Sequence, residues 1–393
     1  MTSQNNTMCE YTQLSEEQEY FINIYVLFVE ISGNLITGVI GMILNIITII
    51  IFSTSKLRNS IFNQLLISLA VFDNLYLLCE IFEVFREWFH PFFLQYAFAK
   101  FIYPIRSVFM CSSIYTNIAL ATERYQAITS PIEYRVRRTT NITRKLLKYI
   151  IPIMTLSFIY YTPKFFEIDV EETLDCASSQ SLTHYLGTTQ RRMDEENCTF
   201  TYSLTPTKLR INRYYLLWYM NVSNIFITAL VPTAILVYLN VNVYLSLDEF
   251  LQRRHSRYHS NVSMNTYQRQ QSIDVKKTFI LFSIVFLFIF CHSLRLILNL
   301  DELVRLGSSQ EDYENECKLS RFWEEVLIPL NQLLLIINAS AHFFIYVFFD
   351  AEFRQVLKGR SPPIRHAVVL PTIRLAVVLS RNRNNPDMEN DAN

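Results

Sequence analysis

A bundle of seven transmembrane α-helices is predicted by two features of this 393-residue sequence. Hydrophobic residues make up 51% of the chain and gather into long runs. A helix that crosses about 30 Å of hydrocarbon needs roughly 20 mostly apolar residues, and the runs reach that length. Lys and Arg cluster in alternate connections between the runs, as in a chain that crosses a membrane repeatedly. The predicted fold is therefore that of an all-α membrane protein.

The apolar runs set the approximate bounds of the seven spans. These are residues 31–53, 61–83, 98–125, 146–163, 214–246, 276–300 and 323–348. We expect residues 1–30 to form an extracellular N-terminus, residues 31–348 the bundle, and residues 349–393 a cytoplasmic tail. Residues 350–358 carry Phe353 and Leu357 at a spacing that predicts a short amphipathic helix along the membrane surface.

The distribution of basic residues predicts the orientation of the chain. The first 30 residues contain no Lys or Arg, whereas basic residues follow spans one, three, five and seven. Cytoplasmic loops carry such an excess, so we expect the N-terminus outside and the C-terminus inside, in the plasma membrane. Asn5 and Asn197 stand in glycosylation sequons on the predicted outer side. The formal net charge is zero, so no nucleic-acid partner is expected.

Four cysteines fall in predicted extracellular segments, where oxidation is favoured. They are Cys9, Cys176, Cys198 and Cys317. Four cysteines permit three pairings. We expect Cys176 to pair with Cys198, the nearest pair in sequence, and this leaves Cys9 for Cys317.

The segment 123–134, ERYQAITSPIEY, resembles the DRYxxxxxPLxY signature of rhodopsin-like G-protein-coupled receptors. A Glu–Arg pair at a membrane boundary can close on itself in a resting state, or release Arg124 to a partner when helices separate. The alternative is an arginine that snorkels at a helix end. The register of Pro131 and Ile132 favours the signature. The resemblance implies an activation switch of Glu123, Arg124, Tyr125, Pro232 and Tyr346, and a G-protein coupling surface of Arg124, Pro131, Ile132, Lys276 and Lys277.

Span two reads LAVFD at residues 69–73, which matches the LAxxD of the same family and puts the carboxylate of Asp73 near mid-membrane. The resemblance implies an internal sodium site of Asp73, Ser113, Asn338 and His342. However, span seven reads NASAHFFIY where the family has NPxxY, so His342 replaces an asparagine. Two interpretations stand: a protonated His342 supplies the charge that sodium would bring, or a neutral one forms a hydrogen bond.

Several departures from the family pattern coincide with one branch. Span six reads FIFCHSLR from Phe288, without the usual Trp and Pro, and span three begins with Tyr-Pro-Ile at Tyr103. With the NASAHFFIY segment, these resemble the FMRFamide-receptor-like neuropeptide receptors of invertebrates. The resemblance covers roughly residues 35–358. It implies an extracellular peptide ligand, a heterotrimeric G protein and membrane lipid as partners, with arrestin and a receptor kinase as further ones.

Arg106 lies 18 residues before Arg124, about five helical turns away on the same face. Aminergic receptors of the family carry an Asp there, so a cation argues against an amine ligand. Glu80 and Glu83 on span two can bind an arginine of a peptide ligand or pair internally with Arg106. The candidate ligand-binding residues are Glu80, Glu83, Tyr103, Arg106, His292, Arg295, Glu302, Trp323 and Glu325.

The predicted function is transduction of neuropeptide binding, with an amidated Arg-Phe type as the ligand class, into G-protein activation. The alternative is a chemosensory receptor for a small anion attracted by Arg106. A transporter is a further alternative, although the sequence has no internally repeated half. We expect no enzyme activity, because no pair or triad of catalytic groups occurs at a convincing spacing. The sequence has only six glycines, and they form no phosphate-binding loop.

Overall fold

The computed structural model describes residues 16–55, 57–88, 92–130, 134, 141–176, 198–258, 264–307 and 322–359. Helix α1 comprises Glu16–Val26, a wider π-helical stretch Leu27–Asn34, and Leu35–Phe52. Helix α2 is Ile61–Trp88, α3 comprises Phe92–Ala97, Phe98–Ile102 and Tyr103–Thr129, and α4 is Ile142–Tyr161, continued by the 3-10 turn Thr162–Phe166. Helix α5 comprises Tyr215–Ser223, Phe226–Leu230 and Val231–Tyr258. The last helices are α6, Met264–Gly307, α7, Phe322–Phe349, and α8, Ala351–Leu357.

Each of the seven predicted spans coincides with one of the helices α1 to α7, and the predicted amphipathic helix is α8. The prediction of a seven-helix bundle is therefore confirmed. Helix α1 begins well before the predicted span because its first turns pack on α7. There Ile22 is buried, and the hydroxyl of Tyr25 donates a 3.0 Å hydrogen bond to the carbonyl of Val326.

The helices form a closed ring. Helix α1 packs on α2, α2 on α3, α3 on α4, α5 on α6, α6 on α7, and α7 back on α1, while α3 also packs on α5. Helix α3 is thus the central helix, which explains why it buries polar residues such as Ser107, Ser112 and Thr116. The main apolar core surrounds its second half and includes Leu65, Leu120 and other fully buried side chains of α2, α5, α6 and α7.

Large apolar side chains cover the outside of the bundle. Examples are Ile40 on α1, Ile159 on α4, Tyr238 on α5 and Phe286 on α6, each more than half exposed. A water-soluble protein rarely exposes apolar surface this extensively, because the surface would drive association. In a bilayer the same side chains face lipid tails. The outward side chains therefore fit a membrane protein.

Length and composition alone single out four described helices that can each cross a membrane: Tyr20–Phe52, Ile61–Arg86, Tyr215–Ser246 and Val275–Val304. A fifth is α7, whose parts Val326–Ser340 and His342–Phe349 meet at a bend of 40°. Helices α3 and α4 are more polar. In α3 the polar residues are buried against neighbouring helices, and in α4 the charges lie in the first two turns.

Strands β1, Ile168–Cys176, and β2, Cys198–Pro206, form an antiparallel hairpin between α4 and α5. Both strands lie in the connection between the fourth and fifth predicted spans, so the hairpin is an addition to the all-α prediction. The end of the bundle that carries β1, β2 and the start of α3 is called the hairpin end. The opposite end, which carries Arg124 and α8, is called the Arg124 end.

Helix α8 is fixed to the bundle by an aromatic cluster. The ring of Phe353 is fully buried, with its centroid 5.2 Å from that of Phe52 and 5.8 Å from that of Tyr346. The side chain of Asp350 caps the helix by accepting hydrogen bonds from the backbone N–H of Glu352 and Phe353. A capped, anchored helix at this place agrees with the predicted amphipathic helix.

Helices α1 and α7 approach closely at Gly41. A Cβ on Gly41 would overlap the hydroxyl of Ser340 and lie 2.6 Å from its Cβ, closer than carbon atoms can approach. Beside this contact, Nδ2 of Asn45 donates a 2.9 Å hydrogen bond to the carbonyl of Ala339. The two contacts hold α7 at its bend, which has no proline at that point.

We expect Gly41→Ala to destabilise the protein by about 1–3 kcal/mol, because the added methyl group has no room. Thermal unfolding of the purified protein measures this loss. The double variant Gly41→Ala with Ser340→Gly removes the colliding atoms and should regain most of the stability. Equal losses in the single and double variants would contradict the assigned contact.

Candidate functional site

Arg106 lies between two carboxylates of α2 at the hairpin end. Its Nη1 forms an ion pair with Oε2 of Glu83 and lies 3.4 Å from Oε2 of Glu80. Glu80 is buried and accepts a 2.7 Å hydrogen bond from Nε2 of Gln332 on α7. Of the two uses predicted for Glu80 and Glu83, the described structure has the internal ion pair. We call these four residues the Arg106 cluster.

A second polar cluster at the hairpin end is built around Glu167, whose side chain is fully buried. Its carboxylate accepts hydrogen bonds from the hydroxyls of Tyr103 at 2.7 Å and Tyr215 at 2.6 Å, and pairs with Arg210 at 3.2 Å. We call these the Glu167 cluster. Tyr103 is a predicted site residue, but Glu167 is not. In the sequence, Glu167 is a single acidic residue shortly after the fourth predicted span. No local pattern indicates that such a side chain is buried.

The remaining predicted ligand-binding residues lie on α6 and α7. His292 is buried, with its ring centroid 4.3 Å from that of Phe288. Arg295, one turn further, places Nη1 2.9 Å from Sδ of Met110 on α3. Glu302 is exposed and has no described contact with the Arg106 cluster. The backbone of Trp323 and Glu325 belongs to the first turn of α7, and their side chains lie outside the described part.

Asp73 is buried at mid-bundle and binds both neighbouring helices. Its Oδ1 accepts a 2.6 Å hydrogen bond from the hydroxyl of Ser113 on α3, and its Oδ2 lies 2.9 Å from Nδ1 of His342 on α7. Nδ1 donates here in both the neutral and the protonated imidazole, so this contact is compatible with both interpretations of His342. Asn338 is buried near this group, and its Oδ1 has no described hydrogen-bond partner.

These residues do not fit a sodium ion as they lie. Sodium is a hard cation that prefers oxygen ligands. Here a ring nitrogen of His342 contacts one carboxylate oxygen of Asp73, and the hydroxyl of Ser113 donates a hydrogen bond to the other. The place of a cation beside Asp73 is thus taken by the imidazole. We derive no role for sodium in this chain.

The stability of the protein is therefore expected to be insensitive to sodium. Thermal unfolding of the purified protein in sodium chloride and in N-methylglucamine chloride, at equal ionic strength, should give equal midpoints. His342→Asn supplies an amide oxygen in place of the ring nitrogen, and this variant should be stabilised by sodium relative to N-methylglucamine. A sodium-specific rise in the wild-type midpoint would contradict the assigned geometry.

At the Arg124 end, the two charged residues of the Glu-Arg-Tyr motif contact different helices. Oε1 of buried Glu123 lies 2.7 Å from Nζ of Lys145 and accepts a 2.8 Å hydrogen bond from the hydroxyl of Tyr149, both on α4. Buried Arg124 donates through Nε and Nη2 to the hydroxyl of Thr278 on α6, at 3.3 and 3.2 Å. The motif thus joins α3 to α4 through its acid and to α6 through its arginine.

Pro232 alters the hydrogen bonding of α5. It follows the π-helical stretch Phe226–Leu230, in which each N–H bonds the carbonyl five residues earlier. Proline has no N–H, so the carbonyl of Ile227 lacks that partner. The hydroxyl of Tyr115 on α3 donates to this carbonyl at 3.1 Å instead. Pro232 therefore couples α5 to α3.

Other predicted residues at the Arg124 end are placed as follows. Tyr346 is fully buried and its hydroxyl has no described partner, whereas Tyr125 is half-buried. Lys276 is exposed, and Nζ of Lys277 lies 5.8 Å from the ring centroid of Phe62. Pro131 and Ile132 of the predicted coupling surface fall outside the described residues.

The predicted covalent modifications fall largely outside the described residues. This holds for Cys9, Cys317, Asn5 and Asn197. Cys176 and Cys198 end β1 and begin β2, and the strand register places their Cα atoms directly opposite each other. Directly opposed Cα atoms of an antiparallel pair lie about 4.5–5.5 Å apart, within the range that a disulfide spans. Their pairing stays a prediction.

Comparison with known proteins agrees with this geometry. A family model described as 7 transmembrane receptor (rhodopsin family) matches residues 44–346. This chain belongs to that family of seven-transmembrane receptors and is a multi-pass membrane protein. The family is one of G-protein-coupled signalling receptors, not of enzymes.

Three curated relatives are similar to most of the chain. The FMRFamide receptor of Drosophila melanogaster is 23% identical over 330 residues, which cover 82% of this chain and 51% of that receptor. The FMRFamide peptide receptor frpr-18 of Caenorhabditis elegans is 26% identical over 330 residues, covering 82% and 67%. The probable G-protein coupled receptor frpr-1 of the same organism is 24% identical over 341 residues, covering 82% and 75%. This chain thus spans about half the length of the Drosophila relative.

Proposed function

We propose that this receptor lies in the plasma membrane and converts binding of an extracellular neuropeptide, of the amidated Arg-Phe class, into activation of a heterotrimeric G protein. The similarity to two FMRFamide receptors over 82% of the chain is the observation that carries the ligand class. In the proposed orientation the hairpin end faces outward and the Arg124 end faces the cytoplasm, in accord with the excess of basic residues in the connections at the Arg124 end.

The charges of the hairpin end argue against a biogenic amine. A cationic amine that reached the central helix would find Arg106 there and no free carboxylate on α2 beside it, because Glu80 and Glu83 are already engaged with Arg106. A peptide instead offers many backbone groups that can bind the aromatic and polar residues of this end.

The proposal is tested with cells that express the receptor and report calcium or cyclic nucleotides. They are challenged with amidated peptides, including Arg-Phe-amides, and with amines and small organic acids. We expect a submicromolar response to an Arg-Phe-amide and none to amines. Arg124→Ala, expressed at the same surface level, is the control that should remove the response. Response to a small acid and silence to every peptide would favour a chemosensory receptor instead.

Glu123 is proposed to regulate coupling through α4. Lys145 and Tyr149 hold its carboxylate, and this holds Glu123 away from a closed Glu123–Arg124 pair, which would favour the resting state. We therefore expect Lys145→Met to lower agonist-independent signalling several-fold. Basal nucleotide exchange in membranes of matched receptor content measures the effect.

Lys148 is the matched control for this prediction. It lies almost one turn further along α4 and is exposed. Lys148→Met should leave basal exchange unchanged, since a solvated lysine contributes little to stability or coupling. An equal fall in both variants would assign the effect to the basic character of α4 and not to the contact with Glu123.

The disulfide and glycosylation predictions belong to the same proposal. We expect a Cys176–Cys198 bond to close the loop between the strands on the outer side. Peptide mapping of the unreduced receptor should find the two cysteines in one cross-linked peptide. A cross-link of Cys176 to Cys9 or Cys317 would contradict this pairing. Glycans on Asn5 and Asn197 would independently locate both segments outside the cell.

A further inference from the structure

Two cations at the hairpin end have no carboxylate partner among the described residues. Nζ of Lys164 lies over two aromatic rings, 4.8 Å from the centroid of Tyr103 and 5.5 Å from that of Tyr161. The guanidinium of Arg295 has only the thioether of Met110 as a described contact, and a thioether is a weak acceptor. Both cations are therefore incompletely neutralised.

The nearby carboxylates are already bound by other groups. Glu80 and Glu83 pair with Arg106, while Glu167 pairs with Arg210 and accepts two tyrosine hydroxyls. Glu167 also attracts Lys164 across space, but no direct hydrogen bond joins the two in the described contacts. Among the described residues, these three carboxylates are thus bound by groups other than Lys164 and Arg295.

The hydroxyl of Tyr161 adds an unused donor at the same place. Tyr161 is 1% exposed, and its hydroxyl has no described hydrogen-bond partner. A buried hydroxyl without a partner is unfavourable, so a ligand that accepts from it gains a hydrogen bond without displacing one. Nζ of Lys164 lies 5.5 Å from the ring centroid of Tyr161, and Arg295 contacts Met110, the neighbour in α3 of Cys111, which packs against Tyr161.

We propose that Lys164, Arg295 and Tyr161 form a binding site for a carboxylate group of the ligand. Two cations and a hydroxyl are all donors, and the described carboxylate that acts on Lys164, Glu167, is already bound by other groups. A ligand carboxylate accepts from several such donors at once. The site draws one donor each from α6, the last residue of α4, and the turn that follows it. A ligand carboxylate would therefore bridge α4 and α6.

This inference rests on the proposed function for the identity of the ligand, but not for the site itself. The same carboxylate can come from an acidic residue of a neuropeptide or from a small organic acid. The neuropeptide is the source that we favour, because the relatives are peptide receptors. The acidic peptides used in the test therefore carry an Asp or Glu near an amidated C-terminus, and the control peptides carry Asn or Gln at the same position.

The state of Lys164 adds a pH dependence to the site. Burial lowers the pKa of Lys164 to about 7, Glu167 opposes this shift, and the cations Arg295, Arg106 and Arg210 reinforce it. Lys164 is therefore charged below that pKa and neutral above it. The potency of an acidic ligand should rise as the pH falls through this pKa. In Lys164→Arg, which stays charged at every pH used, this dependence should disappear.

The decisive experiment compares the potencies of acidic peptides and their amide controls on wild-type receptor and on Lys164→Met and Arg295→Gln. Loss of a charge-assisted hydrogen bond corresponds to roughly 10- to 100-fold in affinity. We expect such a loss for the acidic peptides in both variants and little change for the controls. Lys100→Met is the matched variant, because Lys100 lies at the same end but pairs with Asp169 at 3.2 Å. It should leave both potencies unchanged.

The outcomes separate the site from the ligand class. Activation by peptides with equal potency for acid and amide forms, and no acid-specific loss in the variants, would overturn the carboxylate site and leave the peptide receptor standing. If no peptide activates the wild type, the peptide proposal fails, and the site is judged by thermal unfolding in succinate and succinamide. Succinate should then raise the wild-type midpoint but not that of the double variant Lys164→Met with Arg295→Gln. Equal effects of both compounds would overturn the site.

Discussion

Replacing Glu167 by Gln is expected to lower both the stability and the agonist potency of the receptor. The buried carboxylate accepts from Tyr103 and Tyr215 and pairs with Arg210, so it joins α3, the start of α5 and the chain before β1. Breaking a buried ion pair lowers the free energy of unfolding by about 3–5 kcal/mol. Because 34% of the Arg210 side chain is exposed, we expect a smaller loss of about 2 kcal/mol here. Thermal unfolding of the purified receptor measures the first effect.

The second effect follows from the position of the Glu167 cluster. Its tyrosines line the hairpin end, where the ligand is proposed to bind, so their displacement should reduce agonist potency at least tenfold, about 1.4 kcal/mol. Asp169 is the matched control: it lies two residues later, its side chain is 63% exposed, and it pairs with Lys100. Asp169→Asn should change neither quantity. Equal effects at Glu167 and Asp169 would show that the buried cluster has no special role.

Replacing Arg106 by Ala is expected to have an effect of similar size, since two carboxylates lose their cation. Glu80 is 3% exposed and cannot be hydrated in place of the lost ion pair. We expect the free energy of unfolding to fall by about 3–5 kcal/mol and surface expression to fall markedly. Flow cytometry of epitope-labelled receptor and thermal unfolding of the purified fraction measure the two consequences.

Compensating substitutions distinguish lost charge balance from lost packing. Arg106→Met with Glu80→Gln and Glu83→Gln removes all three charges and keeps side chains of similar length. The amide that Glu80→Gln introduces can still accept a hydrogen bond from Gln332, so this triple variant should recover much of the expression. Failure to recover, while Arg106→Lys is tolerated, would mean that the cation itself is required and not merely the balance of charge.

The helices could be predicted because the length and apolarity of a membrane span are local properties of sequence. The segments around Asp73 and Glu123 were recognised for the same reason, since each motif lies within one helix. Their family context then predicted that Asp73, Ser113 and His342 meet, and the structure brings them within hydrogen-bond distance. Here the resemblance supplied the tertiary information that periodicity lacks.

The pairing of Glu80 and Glu83 with Arg106 stood as one of two alternatives, and the remaining contacts between helices had no such signal. Glu123 binds Lys145 and Tyr149 because α4 is rotated to present them, and no local pattern specifies that rotation. Likewise, burial of Glu167 depends on how the chain turns after α4. The hairpin had a weaker local signal, since 198–206 alternates apolar or aromatic residues with threonine or serine, a pattern typical of strands.

The bend of α7 shows how a departure from the family pattern can leave geometry intact. The NASAHFFIY segment lacks the usual proline, yet α7 bends by 40° close to Ala341. Gly41 admits Ser340, and Asn45 takes the carbonyl of Ala339. The bend therefore depends on the fit of α1 to α7, which is why the segment alone could not predict it.

The most direct test of the central claim is nucleotide exchange by purified components. The receptor is placed in lipid nanodiscs with a heterotrimeric G protein, and GTP analogue uptake is followed with and without the activating amidated peptide. We predict that the peptide accelerates exchange on the wild type and has no effect on Arg124→Ala. Peptide binding without any acceleration on any G-protein class, accompanied by net peptide movement across sealed vesicles, would contradict a receptor and indicate a transporter.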